Sequence, residues 1–191
     1  MRRIRALSLV LVAMVTMSLA AVASASAHEF VANKTGTLKG VSTNHQKFKT
    51  SSGTVECLKE TSEGKIESTK SETNIEKVKY EECTAFGFVV SKVSEAEFEF
   101  NAAGTATVRN KIVLEIEAAE PCTITINKGT ANTGLKTVTY KNVAGGTMTV
   151  EAAVKGITYT TSGGECGSAG TNGEYSGNTK AELIGGTIEW V

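Results

Sequence analysis

The chain has 191 residues, with 20 basic and 20 acidic side chains, two histidines and four cysteines. Every acidic residue is a glutamate, which removes EF-hand loops, Walker B sites, aspartic dyads and most calcium-repeat motifs, since all of these need aspartate. Three of the four arginines lie within the first five residues, so the rest carries a slight acidic excess. It lacks the Lys/Arg clusters that displace counterions from phosphate, and nucleic acid is not an expected partner.

Arg2, Arg3 and Arg5 precede an apolar and small-residue run over residues 6–23, which ends in Ala25-Ser26-Ala27. A basic start, an apolar stretch and an A-x-A site describe a secretory signal peptide over residues 1–27. Residues 28–191 then form a single secreted β domain, extracellular or at the cell surface. Nothing after the leader reaches the ~18 apolar residues of a membrane span. Arg2-Arg3 resembles the opening of a twin-arginine signal, but the rest of that motif is missing, which points to the general export route.

Beyond the leader, apolar residues alternate with Thr, Glu, Lys and Ser. Ala96, Phe98 and Phe100 alternate with Glu97 and Glu99, and Ile112, Leu114 and Ile116 with Val113, Glu115 and Glu117. Cys122, Ile124 and Ile126 follow the same rule, as do Met148, Val150, Ala152 and Val154, and then Ile157 and Tyr159. Period two means half-buried strands, whereas a helix would space its apolar residues by three and four. Glycines at 104, 129, 134, 145–146, 163–164 and 185–186 punctuate the runs. Many short strands with frequent turns predict an all-β fold, an antiparallel β-sandwich or flattened barrel. Gly-Thr opens strands at Gly53, Gly104, Gly146 and Gly186 without the fixed period of a repeat. Residues 65–82, dense in Lys and Glu, lean towards strands because Val78 and Tyr80 lie two apart; their mixed charges read as a solvated face. Residues 162–177, rich in Gly, Ser and Asn around Cys166, read as a long loop pinned by a disulfide.

In an exported chain the cysteines are expected to be oxidised. Cys57, Cys83, Cys122 and Cys166 allow three connectivities. Pairing of sequence-near strands favours Cys57 with Cys83 and Cys122 with Cys166. No C-x-x-C occurs, so zinc and thioredoxin-like readings have no spacing to rest on.

Candidate chemistry is sparse, and no catalytic residue, cofactor or metal ligand is assigned. Cleavage after Ala27 would make His28 the first residue of the mature chain. Its amine and imidazole would chelate copper, with His45 as a third nitrogen. That is the sharpest enzymatic alternative, a copper-dependent extracellular oxidase. A Ser-His-acid triad lacks its G-x-S-x-G, since Gly167-Ser168-Ala169-Gly170 is one residue short. Glu81-Glu82 and the Glu95, Glu97, Glu99 row fall on solvent-facing strand positions rather than as a glycosidase pair. Asn33-Lys34-Thr35 fits a glycosylation acceptor.

Several motifs carry a resemblance. These are Ala27-His28-Glu29-Phe30, Cys83-Thr84-Ala85-Phe86-Gly87, Cys122-Thr123-Ile124-Thr125-Ile126, Val138-Thr139-Tyr140, Cys166-Gly167 and Gly185-Gly186-Thr187-Ile188-Glu189-Trp190. Through them the chain resembles small exported β-rich proteins of soil actinobacteria that have no assigned activity. The resemblance implies export and a β-rich fold. Such proteins often carry a further cysteine pair before the third cysteine of this chain; here apolar packing would replace it. The expected protein is a monomeric, non-catalytic structural or binding module that meets an extracellular ligand or an envelope component.

Overall fold

The period-two segments form strands, and only strands, among the described residues, which are 28–129 and 137–191 of a computed structural model. The leader and Gly134 lie outside them. In chain order the strands are β1 (Phe30–Ala32), β2 (Gly36–Ser42), β3 (Gln46–Thr50), β4 (Gly53–Ile66), β5 (Lys70–Ser71), β6 (Thr73–Ala85), β7 (Phe88–Val93) and β8 (Ala96–Asn101). Then come β9 (Thr105–Val108), β10 (Ile112–Glu117), β11 (Cys122–Ile126), β12 (Val138–Val143), β13 (Thr147–Gly163), β14 (Gly170–Leu183) and β15 (Ile188–Trp190).

All pairings are antiparallel, and one set of them closes. Passing from β3 to β4, β6, β7, β10, β11, β13 and β14 leads back to β3. The fold is therefore a barrel at this level, and closure removes the free edges that a sandwich would have to protect. The long strands β4, β6, β13 and β14 continue past this ring. Their far halves pair with β2, β8 and β12, and β9 joins β8. Between β9 and β12 no ladder forms; the amides of Thr137 and Val138 both donate to the Gly104 carbonyl at 3.1 Å. A small sheet of β15, β1 and β5 packs into this second end through Phe30 and Ile188.

Two apolar cores fill the two halves. One gathers Val55, Ile116, Ile124 and Tyr159 and includes all four cysteines. The other gathers Leu38, Leu183, Met148, Phe30 and Ile188. Full burial of one such aliphatic side chain contributes roughly 1.5–3 kcal/mol. Both disulfides have the expected connectivity, Cys57–Cys83 across β4 and β6, and Cys122–Cys166 between β11 and the β13–β14 loop.

The alternation changes phase at two places that shape the interior. On β4 the inward residues are Val55 and Cys57, then Glu60 and Ser62; on β6 they are Ala85 and Cys83, then Tyr80 and Val78. Both strands slip where Leu58 and Glu82 face each other, and Glu82 has a φ of 55°. On β13 the register shifts between Lys155 and Ile157, where Gly156 has a φ of 72°. A bulge of this kind turns the even inward series ending at Val154 into the odd series starting at Ile157.

The expectation of a long loop over residues 162–177 is corrected. The loop is residues 164–169, and β14 begins at Gly170. The β14 glycines Gly173 and Gly177 are not turn residues. A Cβ on Gly177 would collide with the Gln46 side chain, and one on Gly173 would sit 3.0 Å from Phe48 Cε2. Glycine marks places where an interior side chain crosses the strand closely. Gly177→Ala should displace the Gln46 amide from its hydrogen bonds to Asn44, Asn178 and Tyr175 and destabilise the protein by about 1 kcal/mol, read as a lower midpoint in urea unfolding at unchanged m.

Candidate functional site

Between the two apolar cores the barrel has a polar waist. Gln46, Glu60, Ser62, Asn74 and Glu76 are all buried there, with Glu60 4% and Glu76 7% exposed. The strand register assembles them. Glu60 on β4 lies opposite Tyr80 on β6, and Gly64 opposite Glu76. Tyr175 on β14 lies opposite Phe48 on β3 and Val154 on β13.

Two hydrogen-bonded groups result. Ser62 Oγ donates to Glu76 Oε2 at 2.6 Å, and Asn74 Nδ2 donates to Glu76 Oε1 at 2.9 Å. Both oxygens of that carboxyl are thus occupied. Thr179 Oγ1 donates to Glu60 Oε2 at 2.5 Å. Among the described residues Glu60 Oε1 has no hydrogen-bond partner. Nearby, the Tyr80 hydroxyl donates to the Tyr175 hydroxyl at 3.2 Å, which donates to Gln46 Oε1 at 2.6 Å.

Burial sets the electrostatics. Loss of hydration pushes the Glu60 carboxyl up to about 7; the Thr179 hydrogen bond opposes this and the Glu76 charge adds to it. Burial raises Glu76 as well, against the hydrogen bonds from Ser62 and Asn74. Tyr80, Tyr140 and Tyr175 are all held in their neutral form, chiefly by desolvation. An ionised carboxylate in low dielectric is costly unless something pairs with it. No lysine or arginine forms an ion pair with Glu60 or Glu76 among the described residues.

Two chambers adjoin the waist. The upper, about 60 Å³, is bounded by Glu60, Glu76 and Thr179 on its polar side. The lower, about 90 Å³, is walled by Phe48, Leu114, Ile126 and Ile157. Tyr80, Phe98, Ala106, Val154 and Tyr175 line both. Apolar walls with a few convergent polar groups are the chemistry of small-molecule sites, and at about 60 and 90 Å³ these chambers are smaller than the roughly 300–1,000 Å³ of most such sites and suit only a very small occupant.

The residues singled out from sequence fall elsewhere. The four cysteines are all in disulfides. The His28 ring stacks on Trp190 with centroids 4.3 Å apart, and its Nδ1 lies 3.3 Å from the Val191 carbonyl. His45 Nδ1 instead lies 2.8 Å from Glu56 Oε1 on β4. The histidines share no partner, and among the described residues no group of three or more His, Cys, Asp or Glu is placed to hold a metal. Asn33 Oδ1 accepts from the Thr187 amide at 2.9 Å. Glu81 and Glu82 are solvent-facing as expected, with Glu82 paired to Lys59. Glu95 and Glu99 pair with Lys77 and Arg109 at 3.6 and 2.7 Å, contacts worth little at a surface.

The solvated-face reading of residues 65–82 holds for Lys77, Lys79 and Glu81 but is corrected for Glu76, which points inward. The signal lay in the sequence, because Asn74, Glu76, Val78 and Tyr80 share one parity. Glu60, Gln46 and Tyr175 were also missed, the last because its strand reads as a loop. Outward positions of β2, β4, β6 and β8 form an open groove of about 1160 Å³ with mixed charges, among them Lys39, Glu63, Lys77 and Glu97. No helix among the described residues is long and apolar enough to cross a membrane.

No family model, curated protein or solved structure matches the chain. A functional reading must therefore come from the site itself.

Proposed function

We propose that the protein is exported and works outside the cytoplasm, free or at the cell surface, as a monomeric, non-catalytic binding module that holds a small molecule inside its barrel. The observation that carries this reading is the pair of chambers lined by apolar side chains and by the buried polar groups of the waist. The leader motif supports export, and two disulfides suit an oxidising compartment. The resemblance to exported actinobacterial proteins points the same way. A surface of Lys, Glu and Thr with no reactive cluster among the described residues supports binding over catalysis.

Two measurements test it. The full chain, expressed with its leader and recovered from the medium, should give an intact mass beginning at His28 with both disulfides closed. Retention inside the cell with reduced cysteines would overturn export. Benzene added to the mature protein should shift the NMR methyl signals of Leu114, Ile126 and Val154, which face the chambers. Chamber methyls unmoved by benzene, benzylamine and benzyl alcohol alike would overturn the binding role.

A further inference from the structure

In the waist one carboxyl oxygen that borders a chamber has no hydrogen-bond partner among the described residues, and that atom sets the chemistry of what the chamber can take. Glu76 has both oxygens engaged and serves the fold. Glu60 differs. Its Oε2 is fixed by Thr179, while Oε1 has no partner among the described residues, and the side chain borders the upper chamber. Directly across the strand pair, the Tyr80 hydroxyl gives its proton to Tyr175 and keeps its oxygen lone pairs free. With Glu60 ionised, the waist offers two acceptors and no donor directed at them. Next to them, Phe98, Ala106 and Val154 supply an apolar wall common to both chambers.

Resting on the reading that the barrel holds a small molecule, we propose that this molecule is a compact primary amine. Its apolar body packs against Phe98, Ala106 and Val154, and its ammonium donates to Glu60 Oε1 and the Tyr80 hydroxyl oxygen. Three points support the assignment. An ammonium has three donors and no acceptor, which suits a site that has acceptors to fill. The carboxyl is already desolvated by the fold, so the amine gains a low-dielectric ion pair without that side's full desolvation cost. The chambers, about 90 and 60 Å³ with five lining residues in common, leave room only for a small body. The one cationic side chain that lines either chamber, Lys155, is exposed and borders only the lower one. Glu76, Tyr140 and Tyr175 are the remaining titratable groups around the waist, and none is a cation. Near neutral pH part of the Glu60 population is protonated. Binding a protonated amine ionises it and releases that proton to the buffer.

The test compares benzylamine with benzyl alcohol, which matches it in shape but carries no charge, by calorimetric titration at pH 7 on the mature, disulfide-bonded protein. Benzylamine should bind at least tenfold more tightly than the alcohol. It should displace benzene from the Val154 methyls, and it should release protons, seen as a dependence of the heat on buffer ionisation enthalpy. Glu60→Gln, which keeps the volume and the Thr179 contact, should abolish the preference for the amine. Equal binding of amine and alcohol, or a preference that survives Glu60→Gln, would overturn the amine assignment and leave the binding module standing. So would amine binding that moves no chamber methyl. If benzene and both benzyl compounds all fail to bind, the binding module itself is wrong.

Discussion

The double substitution Cys122→Ala, Cys166→Ala should lower stability by about 4 kcal/mol. The disulfide closes a loop with a sequence separation of 44 residues, and a loop of that length removes roughly this much entropy from the unfolded chain. It ties the start of β11 to the loop joining β13 and β14, and Cys166 is fully buried, so the variant also loses packing. The Cys57–Cys83 bridge, with a separation of 26, is worth about 3.5 kcal/mol by the same reasoning. Small domains have a net stability of about 5–15 kcal/mol. Reduction of both bridges should therefore unfold much of the population near physiological temperature. Urea unfolding with and without reductant measures this. A midpoint that moves little on full reduction would mean that the barrel closes without its bridges.

The second large effect is a dependence on pH with a sign opposite to that of ordinary salt-bridged proteins. The Glu60 carboxyl is raised from 4.5 to about 7 in the folded state. Below the lower value it is protonated whether the chain is folded or not, and its neutral form suits the buried site. Between the two values the folded state holds a proton that the unfolded state has released, so stability falls as pH rises. Above about 7 the loss is complete, on the order of 3 kcal/mol. Glu76, raised by burial, acts in the same direction. Glu56 is lowered by His45 and Lys47 and acts in the opposite sense, but it is exposed. The disulfide-bonded protein should thus melt higher at pH 5 than at pH 8. Glu60→Gln should raise the melting temperature at pH 8 and flatten the profile between 5 and 8. Wild type and variant with parallel profiles would show that Glu60 is not the group responsible.

Much of this architecture was legible in the sequence, since period-two alternation alone identifies most inward residues. Ile112, Leu114 and Ile116 face the core as their spacing requires, and so do Cys122, Ile124 and Ile126. The change of parity between Val154 and Ile157 marks the bulge at Gly156. Barrel closure was not legible, because no local pattern states that β14 returns to pair with β3. The polar waist was harder still. Glutamate on a strand defaults to solvent because burying a carboxyl is costly, so Glu76 reads as part of a solvated face and nothing local singles out Glu60. Only the parity shared with Val78 and Tyr80 argues against that for Glu76. Residues 170–177 misled for a related reason, since glycines required by the close crossing of Gln46 and Phe48 look the same in sequence as glycines required by a turn.

The polar waist is tested most directly by following the carboxyl carbon of Glu60 by NMR through a pH titration, with Glu60→Gln to assign the signal. A midpoint near 7 is predicted for the free protein, falling on addition of benzylamine as the ammonium stabilises the carboxylate. A midpoint near 4.5, unmoved by the amine, would mean that the Glu60 side chain is solvated and forms no buried acidic site for an amine.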